Sequence, residues 1–103
     1  MRTVNLTPRA IEDLKEIKSY INFELQNPIA ATDTINKIIN TYEELQSMPD
    51  LGIPVDRYVD FHTDYRFVLA NNYSIFYRYD ENYIYIVRIL YSRMDFVRVL
   101  FGK

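Results

Sequence analysis

The chain has 103 residues, 49% of them apolar, with a formal charge of −2 and a pI of about 5.3. That length and apolar content suffice for one buried core, so a single domain over residues 1–103 is expected. With no cysteine, disulfides, thiolate catalysis and cysteine-bound metal are excluded, and the acidic balance argues against bulk attraction to nucleic acid.

Residues 2–6 (RTVNL) alternate Val4 and Leu6 and read as a short strand. Thr7-Pro8 then reads as a helix start, with Thr7 as N-cap and Pro8 where its missing N–H does no harm. Glu12 and Asp13 are expected to sit early enough to suit the positive end of that helix. Ala10, Leu14, Ile17 and Ile21 form one apolar stripe, and the helix is expected to end near Gln26. Asn27-Pro28 repeats the start signal, and Ala31, Ile35, Ile38, Tyr42 and Leu45 carry the second stripe. Two helices joined by a tight turn make an antiparallel hairpin, stopped by the proline and glycine of Met48-Pro49-Asp50-Leu51-Gly52.

From Val55 the period shortens to two. Strands are predicted over Tyr65–Ala70, Tyr73–Tyr79 and Tyr83–Tyr91, joined by Asn71-Asn72 and Asp80-Glu81-Asn82. Phe96–Phe101 is a further strand candidate, with a disordered arm as the alternative for the tail to Lys103. The fold class is therefore α+β: an N-terminal strand and an antiparallel helical hairpin packed on a small antiparallel sheet. No apolar run is long enough to span a bilayer and no basic-then-apolar leader opens the chain, so a cytoplasmic protein is expected.

Chemistry-bearing patterns are sparse. His62 is the only histidine, the two glycines make no phosphate loop, and metal-ligand spacing is absent. No cofactor or metal is expected. The helix carboxylates read mostly as solvated faces. The arginines say more: residues 88–103 hold Arg88, Arg93, Arg98 and Lys103 against Asp95 alone. Alternation groups Ser74, Phe76 and Arg78 on one face, Arg88 with Ile84, Ile86 and Leu90, and Arg66 with Val68 and Ala70. If those faces coincide, Arg66, Arg78 and Arg88 gather opposite the helices, with Arg93 just beyond. Guanidinium groups in such an array bind phosphate or carboxylate. The alternative is that each pairs with a nearby carboxylate or lies along a tyrosine ring. Most of the ten tyrosines read as cross-strand or core packing.

The order of these elements resembles the RelE/ParE superfamily of toxins from type II toxin–antitoxin pairs, the ParE branch being the closer. The resemblance is carried by LTPRAIEDLKEIKSYI (residues 6–21), the Asn27-Pro28 start with its alanines, LQSMPDLG (residues 45–52) and YRFVLANNYSIFYRYDENYIYIVRILYSRMD (residues 65–95). It implies a growth-inhibiting, plasmid-stabilising toxin held inactive by a cognate antitoxin that wraps it with a helix and an extended segment. It also implies a hetero-oligomer that touches operator DNA only through the antitoxin.

The two branches imply different activities. RelE-type members are ribosome-dependent mRNA endonucleases; ParE-type members are thought to poison DNA gyrase without being enzymes. Carried over by position, the RelE pattern places catalytic cations at Arg66 and Arg93. Val68, Ser74 and Val99 stand where a second lysine, an arginine and a tyrosine belong. Valine and serine cannot stabilise developing phosphorane charge. The ParE pattern fits better through Ile86–Asp95, although Tyr91 stands where that family commonly has histidine. Arg66, Arg78, Arg88, Tyr91, Arg93 and Arg98 are the residues expected to bind target or antitoxin, with gyrase as the target and the ribosome with its mRNA as the alternative.

Overall fold

A computed structural model describes residues 1–103. The chain opens with β1 (Thr3–Leu6), then α1 (Pro8–Ser19), whose N-terminus is capped by Thr7: its hydroxyl accepts from the Ala10 N–H at 3.1 Å. The helix does not stop there but widens into a π-helical turn over Tyr20–Glu24, and Gln26 reverses the chain at φ +50°. Asn27 caps α2 (Pro28–Glu43) through its side-chain oxygen, as the Asn-Pro signal requires. After a short 3₁₀ turn the strands follow: β2 (Ile53–Pro54), β3 (Arg66–Ala70), β4 (Tyr73–Tyr79) and β5 (Tyr83–Tyr91). Asn71 supplies the positive φ, +53°, that a two-residue hairpin needs between β3 and β4.

The sheet order is β1-β5-β4-β3-β2. Strands β2 to β5 run antiparallel, β3 to β5 through short turns, but β1 lies parallel to β5, Val4 beside Ile84 and Leu6 beside Ile86. The sheet is therefore mixed and not wholly antiparallel. The reason is topological: the helical hairpin carries the chain from one edge to the other, and the meander returns beside its starting strand.

On the helix side, Ile38, Leu45, Ile75, Tyr77, Ile84 and Ile86 are completely buried. The opposite face has its own smaller core of Val55, Phe76 and Leu90. Over it folds α3 (Phe96–Phe101), where the sequence suggested a strand or a disordered arm. Asp95 caps its start, Gly102 closes it at φ +71°, and Phe96, Val99 and Leu100 recur at helical spacing.

One irregularity matters. Phe76 pairs with Arg88 but Tyr77 pairs with Ile86, leaving Val87 as the extra residue of a β-bulge. The bulge resets the alternation, so Ile84, Ile86 and then Ile89 face the helices, while Val87 and Leu90 join the opposite core. Arg88 accordingly does not share a face with Ile84 and Ile86.

Candidate functional site

The arginines do not assemble as the alternation suggested. Arg66 pairs with Tyr77, on the helix side, and its guanidinium donates to the carbonyls of Gly52 (2.7 Å) and Asp50 (3.2 Å). Arg78 lies on the opposite face, 2.9 Å from Asp64 and over the ring of Tyr65. Arg88 is drawn to the sheet edge by α1, where it forms a bidentate pair with Asp13 at 2.8 and 3.0 Å. Three adjacent strands thus send their arginines three ways, because the register puts Arg66 and Arg78 on opposite faces and the bulge re-aims Arg88. Arg93, in the turn after β5, and Arg98, on α3, are exposed and form no ion pair.

Asp13 is the residue the sequence reading misplaced. It is the sixth residue of α1 rather than part of its first turn, and is only 4% exposed. Besides Arg88 it accepts from the Ile89 backbone N–H at 2.9 Å. The signal was present: Asp13 is three residues after Ala10 and four before Ile17, squarely on the apolar stripe, and a carboxylate there needs a partner.

Around this pair opens a groove of about 1190 Å³ between α1, the turn into α2 and the C-terminal half of β5. Ile17, Ile21 and Ala30 line one wall; Tyr91, Met94 and Val99 line the other. Tyr20, Tyr73 and Tyr91 ring its mouth, the last two meeting edge to face at 6.0 Å. Burial, together with its neighbours Tyr20 and Tyr91, pushes the Tyr73 phenol above its ordinary pKa. Arg9 leans over Asp13 and Glu16 at 3.8 and 3.7 Å, which leaves the rim nearly balanced in charge. An apolar cleft with phenol rims and no free buried charge suits a peptide better than a phosphate.

The positions borrowed from the nuclease pattern have a common character. Val68 packs on the helix-side core, Ser74 is 7% exposed, and Val99 belongs to the opposite core. They are packing residues here.

Residues 4–96 match the model of the ParE toxin of the type II toxin–antitoxin system parDE. The chain belongs to the ParE toxin family. The matched span runs from β1 to the first residue of α3, so it includes Asp13, Arg88 and every lining residue of the groove except Val99. Among solved structures, this ParE toxin is similar to a chain of a chromosomal ParDE toxin–antitoxin system from P. aeruginosa. The TM-score is 0.70 at 23% identity, covering 86% of this chain and 94% of that one; at that identity the likeness speaks for the fold. No curated protein matches the sequence. No helix of the ParE toxin is long and apolar enough to cross a membrane.

Proposed function

We propose that this ParE-family chain is a single-domain cytoplasmic toxin that arrests growth by binding DNA gyrase and is neutralised by a cognate antitoxin in a hetero-oligomer. The observation that carries the binding reading is the dispersal of the cations. A ribonuclease needs several of them converging on one phosphate. Here Arg66 is held by two backbone carbonyls, and Val68, Ser74 and Val99 are packing residues. Arg66 also pairs at the Tyr77 end of β4, whereas Arg93 follows Tyr91, which pairs at the Tyr73 end. Four residue steps along the strand separate those ends, roughly 13 Å.

On this reading Tyr91, Arg93 and Arg98, which are exposed, contact a partner, and Arg78 joins them if it exchanges Asp64 for a partner's carboxylate. Arg66 and Arg88 hold the surface in shape. The antitoxin occupies the groove beside β5, and operator DNA is met only through it.

Pulse labelling of new DNA and new protein, minutes after induction without antitoxin, tests the target. DNA synthesis falling first, with the purified toxin blocking gyrase supercoiling, is the expected result. Protein synthesis falling first, with Arg66→Ala and Arg93→Ala both abolishing toxicity, would replace it with ribosome-dependent mRNA cleavage. Harmless induction would leave only antitoxin binding.

A further inference from the structure

Strand β1 leaves the sheet at Leu6, so the outer edge of β5 from Arg88 to Tyr91 has no strand beside it and forms the floor of the groove. The hydrogen-bonding groups along that edge can be counted. Ile89 turns its N–H away from β4, to Asp13, and alternation turns the N–H of Tyr91 the same way. The Ile89 N–H is taken by Asp13, and the Tyr91 carbonyl accepts from the Met94 N–H at 2.9 Å. Two groups are left facing the groove: the Ile89 carbonyl and the Tyr91 N–H.

That remainder has a direction. An antiparallel neighbour needs both the N–H and the C=O of one residue, and neither Ile89 nor Tyr91 has both free. A parallel neighbour uses the C=O of one residue and the N–H of the residue two further on, which is what remains on either side of Leu90. Strand β1 uses β5 in this sense, its Thr3 and Thr7 N–H groups donating to the carbonyls of Asn82 and Ile86.

We infer that the groove accepts an extended, apolar peptide segment that runs parallel to β5, one residue of it donating to the Ile89 carbonyl and accepting from the Tyr91 N–H. The inference rests on the antitoxin reading above: the segment is the antitoxin's, and it lies in line with β1 beyond the point where β1 turns into α1. Asp13 sets both register and direction, because its carboxylate stands in for a strand carbonyl at Ile89 and so blocks antiparallel entry. The paired residue faces Met94 and Val99, on the side of Leu90; its two neighbours face Ile17 and Ile21. Apolar side chains at all three fit a groove whose one buried ion pair is already closed.

Residue-resolved hydrogen exchange on the toxin, alone and in complex with the antitoxin encoded beside it, tests this. The Tyr91 amide should exchange fast in the free toxin and at least about tenfold slower in the complex, while the Ile89 amide is slow in both. Peptides of 15 residues tiling that antitoxin, each backbone amide of the binding one replaced in turn by an ester, should show one replacement that weakens binding about tenfold. A stable complex in which Tyr91 exchanges as before and the ester series is flat overturns the strand and leaves the antitoxin reading standing. An antitoxin that does not bind this chain overturns both.

Discussion

The two faces of the sheet are built differently. On the helix side two long helices press aliphatic residues and Tyr77 into a core whose central members have no exposure. On the other face a six-residue helix and the segment after β2 cover Phe76 and Leu90 with aromatic rings that remain partly exposed. Phe96 lies tilted against Phe76 at 5.3 Å, and Phe101 meets Tyr65 and Phe61 at 5.6 and 4.9 Å. The arginines follow the same division. Arg88, 17% exposed, is locked to nearly buried Asp13, whereas Arg78 and Asp64 are each about half exposed. Long helices can exclude water from a sheet, and a short helix with a loop shields it only partly. The first face therefore carries stability, and the second is the one that opens more readily.

The largest test of that contrast is Asp13→Ala, which strands the Arg88 guanidinium and the Ile89 N–H at the edge of the sealed core. A loss of about 3–5 kcal/mol in urea unfolding is expected. The matching change on the looser face, Asp64→Ala, should lie within about 1 kcal/mol of the parent, since solvent screens that pair. Comparable losses for the two would abolish the distinction. Ile38→Ala should remove about 2–5 kcal/mol through a cavity, against about 1 kcal/mol for Val99→Ala, read by the same denaturation.

Next in size is Tyr77→Phe. The phenol accepts from the Gly52 N–H at 2.8 Å and donates to the Pro49 carbonyl at 2.7 Å, so its removal leaves a buried N–H without a partner. About 1–3 kcal/mol is expected from thermal or chemical unfolding. Gly52→Ala attacks the same contact from the other side, because a Cβ there would sit 2.5 Å from the Tyr77 hydroxyl. A fully stable Gly52→Ala protein would mean that the β2 corner is not as tight as these distances require.

The smallest effect belongs to the β4–β5 turn. The backbone N–H groups of Asn82 and Tyr83, then the Tyr85 hydroxyl, hold the Asp80 carboxyl below its usual pKa. A depressed carboxylate stabilises the fold above its unfolded pKa, and that contribution is lost as pH falls through the lower folded value. Asp80→Asn should therefore lower the neutral-pH midpoint slightly and by the same amount flatten the decline in stability below about pH 4. An unchanged acid limb would show that the turn does not depend on that charge.

The sequence by itself determined the elements. Thr7-Pro8 and Asn27-Pro28 are local capping signals, the helical stripes and strand alternation are periodic, and a two-residue Asn-Asn link admits few turns; all act within a few residues. The Asp95 and Gly102 caps of α3 were equally local, but the apolar run between them suits a strand as well as a helix. What only the tertiary structure decided was facing. One extra residue, Val87, reverses the alternation for everything after it, so no reading that assumes a regular strand can say where Arg88 points. Asp13 looked like a solvated helix carboxylate because its partners, Arg88 and the Ile89 N–H, lie 75 and 76 residues away in sequence. The groove exists because β1 pairs with β5 only as far as Ile86 and leaves the edge from Arg88 to Tyr91 uncovered, and that depends on how two ends of the chain meet.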